Sequence, residues 1–134
     1  MKVRVDELKG VTDEITAALK RAGIADSEQL LTAGGHPKGR AELAAKLGVS
    51  ERAVLELVNR ADLSRVHGVA GVYSDLLEFA GVDTVAELRR RIPENLHLKI
   101  LEKASKHEVK RTPRLDEVQS WIEQAKQLER AIYY

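Results

Sequence analysis

The residues with the clearest chemical potential are Gly68, Val69, Ala70 and Gly71, flanked by Arg65 and His67. A glycine placed after a helix takes the left-handed backbone that stops it. An apolar neighbour such as Val69 pins the turn to a core. The next helix then opens with backbone N–H groups and the positive end of its dipole pointing outward, which is an anion site suited to phosphate. Contacts of this kind grip a sugar–phosphate backbone and not base edges, so binding would be sequence-nonspecific and salt-dependent. Cations to match lie further along. Between Lys99 and Arg114 stand Lys99, Lys103, Lys106, Lys110, Arg111 and Arg114 against Glu102 and Glu108, with His97 and His107 nearby. A run like this is more often a solvated helix and loop than a patch. The candidate nucleic-acid-binding set is therefore Arg65, His67, Gly68, Val69, Ala70, Gly71, Lys103, Lys106, Lys110, Arg111 and Arg114.

The same device occurs earlier in the chain, and the two copies align without a gap. Gly10 matches Gly68, Val11 matches Val69, Leu19 matches Leu77, Ala22 matches Ala80 and Gly23 matches Gly81. Each block is followed by a second helix signal, with Asp26 or Ser27 and Asp83 or Thr84 as N-caps. With an insertion allowed, Val54, Leu57, Val58 and Ala61 line up with Val118, Trp121, Ile122 and Ala125, each set at the spacing of one apolar helix stripe. Apolar–Gly–apolar–small, then an apolar helix closed by Ala-Gly-Ile or Ala-Gly-Val, is the helix-hairpin-helix pattern. The small residue is normally a second Gly, which lets the backbone approach phosphate closely; here it is Thr12 in one copy and Ala70 in the other. Thr12 is followed by Asp13 and Glu14, acids that satisfy the helix dipole from within. The second copy carries no such acids and is the better phosphate site.

The elements that must position these turns are helical. The periodicity predicts helices near 3–8, 13–22, 27–32, 38–47, 51–61, 71–80, 84–91, 94–105 and 115–129, with Pro37 and Pro93 at helix starts and Pro113 before the last helix. No strand-period alternation is sustained. The expected fold class is all-α: one domain over 1–134, built of two helix-hairpin-helix-type repeats spanning about 3–63 and 64–130. A chain of 134 residues with 43% hydrophobic, 32% charged and 4% aromatic residues builds its core from Leu, Val, Ile and Ala. No window is long enough for a membrane span, and Lys2, Arg4, Asp6 and Glu7 do not read as a signal peptide. The absence of Cys makes a cytoplasmic home the default. A net charge of +1 argues against a strongly basic nucleic-acid binder.

Other constellations have blander readings. The segment Leu43–Val54, with Ala44, Gly48 and Val54, resembles a helix-turn-helix offering Arg52, Asn59 and Arg60; a tight turn between packed helices needs the same residues. Gly34–Arg40 lacks the preceding strand and Lys-Ser/Thr ending of a phosphate loop, and reads as a flexible linker leading to Pro37, with Arg40 an internal salt-bridge partner. The His residues have no metal-ligand spacing. Ser50, Ser64, Ser74, Ser105 and Ser120 have no nucleophile context. Trp121, Phe79 and Tyr73 lie on apolar faces as core residues, and Tyr133 and Tyr134 are either exposed or docked back on the fold.

The chain resembles a bacterial domain-of-unknown-function family, number 4332, that carries tandem helix-hairpin-helix repeats. The resemblance rests on Leu8-Lys9-Gly10-Val11, Ala22-Gly23-Ile24, Pro37–Arg40, Leu43-Ala44, Gly48-Val49, Val58–Leu63, Gly68-Val69, Leu76-Leu77 and Ala80–Val85. It continues through Arg111, Pro113, Val118, Trp121-Ile122, Gln124–Lys126, Arg130 and Tyr134. It implies the two-repeat helical fold and DNA binding inherited from the motif. The chain departs from the usual pattern at Thr12 and Ala70, and at Arg114, where a Ser commonly follows the Pro. The expected function is a non-catalytic binder of DNA or RNA backbone. The alternative is a protein-interaction or assembly scaffold. No cofactor, metal, membrane or small-molecule substrate is indicated.

Overall fold

The computed structural model describes residues 2–69 and 71–134; Ala70, one of the candidate site residues, lies outside the described residues. Among the described residues all regular structure is helical. A 3₁₀ turn at Val5–Glu7 is followed by α1 (Asp13–Arg21), α2 (Ser27–Gly34), α3 (Pro37–Leu47), α4 (Glu51–Leu63), α5 (Val72–Phe79), α6 (Val85–Leu88), α7 (Pro93–Lys106) and α8 (Leu115–Gln127). The boundaries have local causes. Pro37 and Pro93 occupy the first turns of α3 and α7, where a missing N–H costs nothing. Side-chain oxygens of Thr12, Asp26, Ser50 and Thr84 accept from the first turns of α1, α2, α4 and α6.

Two of the expected helices are cut to about half of what their periodicity suggests. The stretch 3–8 yields only the 3₁₀ turn because its backbone is committed to a neighbouring segment. Val5 N–H donates to Ala25 C=O at 3.0 Å, Ser27 N–H to Val3 C=O at 2.7 Å, and Val3 N–H to the Ser27 hydroxyl at 3.0 Å. Helix α6 stops at Leu88 rather than 91. Arg90 and Arg91 N–H groups turn to Glu87 and Leu88, and Ile92, ahead of Pro93, is extended.

The core forms two clusters. One gathers Leu19, Leu30, Leu43, Val54, Val58 and Ala61 from α1–α4, with Val5. The other gathers Val66, Val69, Tyr73, Leu77, Leu88, Leu96, Ile100, Trp121 and Ile122 from the α4–α5 turn onward. Helix α4 ends where the two meet: buried Asp62 accepts from Val85 N–H at 2.8 Å. The C-terminal segment crosses back, placing Ile132 in the first cluster. Tyr133 N–H donates to Gly35 C=O at 2.7 Å, and its ring stacks on His36 at 4.6 Å.

Three readings of individual residues change here. Gly34–Gly39 is closely packed at its three glycines, not a flexible linker. A Cβ on Gly34 would lie 2.5 Å from Val58 Cγ2, one on Gly35 2.6 Å from Ala131 O, and one on Gly39 against Ala33 O. Arg40 is buried but makes no salt bridge among the described residues. Its guanidinium donates to the carbonyls of Gly34 (3.0 Å) and Tyr133 (2.6 Å), locking the C-terminal segment onto α2–α3. Phe79 is 39% exposed and stacks on His107 at 3.9 Å, whereas Trp121 and Tyr73 are buried as expected.

Candidate nucleic-acid interface

The turn from α4 to α5 is held from both sides. Arg65 and Val66 N–H groups close onto Asp62 and Leu63 carbonyls, and Val69 N–H onto Val66 C=O at 3.2 Å. Val66 and Val69 are buried, which fixes the turn in the second core cluster. The backbone of His67 is clamped by one side chain of α8: its N–H donates to Gln124 Oε1 at 2.7 Å and its C=O accepts from Gln124 Nε2 at 3.1 Å. Gly68, at φ +92°, faces Trp121 so closely that a Cβ there would lie 3.0 Å from the indole nitrogen. Gly71, at φ +55°, opens α5 and supplies no capping side chain. Exposed Gly68 and Gly71 thus both precede the start of α5.

Cations reach this point by a route the sequence does not reveal. After α7 the chain runs back along α5. His107 stacks on Phe79 at the C-terminal end of α5, and Arg111 lies 5.3 Å over the Tyr73 ring in its first turn. Tyr73 in turn rests on Trp121 at 5.3 Å. Lys106 and Lys110 are exposed and Lys103 is half-buried; none of these, nor Arg111, is ion-paired among the described residues. Arg114 pairs with Asp116 (3.0 Å) and Glu117 (3.6 Å). The hydrogen bond to Asp116, its charge and that of Glu117 raise the Arg114 pKa further above its ordinary value, and Tyr73 adds to the effect.

Arg65 faces elsewhere. Its guanidinium bonds buried Asp62 at 3.0 Å and lines a cleft with Arg89, Arg90 and Arg130. Of the candidate residues, the fold thus sets Arg111 over Tyr73, two residues beyond Gly71. Lys106 ends α7 and Lys110 lies on the segment that follows, while Arg65 is turned to Asp62. Lys9 and Arg60 complete the surroundings of α5. Asp75, in its first turn, is met by Lys9 Nζ at 3.4 Å and Arg60 Nη1 at 3.1 Å; Arg60 also bonds Glu78 and the Ser74 hydroxyl. Arg60 is therefore engaged by three side chains of α5, Ser74, Asp75 and Glu78.

The family's sequence profile matches residues 9–128, and the chain belongs to the DUF4332 family, a domain of unknown function. No curated protein and no solved structure matches the chain.

Proposed function

We propose that the chain is a non-catalytic binding module of two tandem helix-hairpin-helix repeats, about 3–63 and 64–130, that takes nucleic-acid backbone at the second hairpin. The repeat reading is supported by matching backbone in the two halves. Gly10 and Gly68 sit at φ +83° and +92°, and Gly23 and Gly81 at +82° and +90°. Ile24 N–H closes onto Leu19 C=O at 2.9 Å, and Val82 N–H onto Leu77 C=O at 2.8 Å.

The observation that carries the binding reading is the start of α5. A glycine opens it with no capping side chain, its first-turn acid Asp75 is neutralised by Lys9 and Arg60, and Arg111, over the Tyr73 ring, has no carboxylate partner among the described residues. A phosphate there would meet a helix N-terminus and a guanidinium together. The partner class is DNA or RNA, held without sequence preference, in the cytoplasm that a cysteine-free composition suggests.

A protein-assembly role is the second reading. It is favoured by α7, which leaves Leu98 65% exposed and Leu101 36% exposed, with Ile92 58% exposed at its start. Fluorescence anisotropy with labelled single- and double-stranded DNA decides between them. Binding that falls steeply with salt, and weakens several-fold in Arg111→Glu, is the expected result. No binding at low salt, together with self-association or pull-down lost on Leu98→Asp, would transfer the function to α7.

A further inference from the structure

A cleft of about 700 Å³ lies away from the second hairpin. Three stretches of chain line it: the end of α4, the α6 region and the C-terminal segment. Its volume falls in the range of small-molecule sites, about 300–1,000 Å³. Arg65, Arg89, Arg90 and Arg130 all line it, against Asp62, Glu87 and Glu129. Two of those carboxylates are already engaged. Asp62 accepts from Arg65 and from Val85 N–H, and Glu87 accepts from the Thr84 hydroxyl.

The arginines are in different states. Arg89 and Arg90 follow one another at the end of α6, exposed and without an ion-pair partner among the described residues. Arg130 is pre-positioned. Its Nε donates to Ile132 C=O at 2.7 Å, and its guanidinium lies 5.0 Å and 5.9 Å over the rings of Tyr133 and Tyr134, leaving the terminal nitrogens as donors. Apolar surface from Val85, Leu128 and Ile132 and the Tyr134 ring completes the lining.

We propose that this cleft is a binding site for a small phosphorylated molecule, with Arg89, Arg90 and Arg130 holding the phosphate groups and Tyr134 flanking the organic part. Planar guanidinium forks match phosphate oxygens two at a time, so three of them from two chain segments favour a di- or triphosphate over a single carboxylate. The exposed face of Tyr134 suits a planar group such as a nucleobase.

A free nucleotide and a nucleic-acid strand carry the same phosphate chemistry, so the test has arms for both. Isothermal titration with adenosine diphosphate, inorganic pyrophosphate and a short DNA strand is run on the intact chain, on Arg89→Ala/Arg90→Ala and on Arg111→Glu. Arg89 and Arg90 are exposed, so their removal leaves the core intact, which circular dichroism verifies. The expected result is saturable binding of the diphosphate and pyrophosphate, weakened about tenfold or more in the double variant and unchanged in Arg111→Glu. Binding of DNA alone, lost in the double variant, would reassign the cleft to a strand and overturn the proposal. So would absence of diphosphate and pyrophosphate binding, or binding that the double variant leaves intact. Arg111→Glu acts only on the hairpin reading, so the two proposals fail separately.

Discussion

The turns at 8–12 and 66–71 use one backbone device and finish it in opposite ways. In the first, Gly10 stands in open space, with nothing near the position a Cβ would take. Thr12 caps the following helix by accepting Ile15 N–H at 3.2 Å, and Asp13 and Glu14 sit at the positive end of its dipole. In the second, Gly68 is pressed against Trp121, His67 is clamped by Gln124, and α5 opens from Gly71 with no side-chain cap. The first turn satisfies itself locally. The second leans on α8 for its position and leaves its helix end available. Of these two turns, the one whose helix starts without a side-chain cap is the one held by a tertiary brace.

That difference predicts unequal sensitivity to mutation. The largest expected effect is at the brace. Trp121 is buried under Gly68 and Tyr73, so Trp121→Ala should cost about 3–5 kcal/mol, read from chemical denaturation. It should also abolish whatever anion binding the second turn supports. A cost near 1 kcal/mol would mean that the turn is held without α8. The next test compares glycines directly. Gly10→Ala and Gly68→Ala both force a side chain into the left-handed region, about 1–2 kcal/mol each. Only Gly68→Ala also crowds the indole, so it should be the more damaging of the pair. Equal losses would break the asymmetry.

How much of this was readable from the chain follows from where the information resides. Stripes such as Val54, Leu57, Val58 and Ala61, and the markers Pro37, Gly48 and Pro93, are local signals, and the helices they announce are present. Pairing across the molecule is not local. Nothing near Lys9 announces Asp75, and nothing near Gln124 announces the backbone of His67, though both place the second turn. Arg65 sits next to the turn in sequence, yet its guanidinium follows Asp62, one helical turn back. Three glycines in Gly34–Gly39 look like slack until Val58 and the returning C-terminal segment fill the space around them. The cleft arginines 89, 90 and 130 come from two separate stretches, and only the return of the C-terminal segment brings them together.

A smaller effect sharpens the contrast from the other side. Thr12→Ala removes the cap on α1 and should cost about 1 kcal/mol. Adding Asp13→Asn and Glu14→Gln would strip the acids and leave α1 with an exposed positive end like that of α5. If the acids are what keep phosphate from the first turn, the triple variant binds DNA more tightly and the salt slope steepens by about one phosphate contact. An unchanged slope in anisotropy titrations would show that the open helix end is insufficient without a partner such as Arg111.

The smallest expected effect lies where the two halves close their longer helices. Helix α3 ends at Gly48 with φ +70°, and Val49 N–H reaches Ala44 C=O at 3.1 Å. Helix α7 ends the same way, with Val109 N–H on Ala104 C=O at 2.8 Å, but the left-handed position is held by Glu108 at φ +56°. A side chain there crowds the following carbonyl, which glycine avoids, whereas glycine adds backbone freedom to the unfolded chain. The first term is the larger in a fully left-handed site, so Glu108→Gly should stabilise the fold by about 0.5–1 kcal/mol. It also removes a carboxylate from the run that carries Lys106, Lys110 and Arg111, so any affinity for DNA should rise slightly. A Glu108→Gln control keeps the strain and removes only the charge. Stability gained by the glycine alone, with affinity gained by both, would separate the backbone contribution of this turn from its electrostatic one.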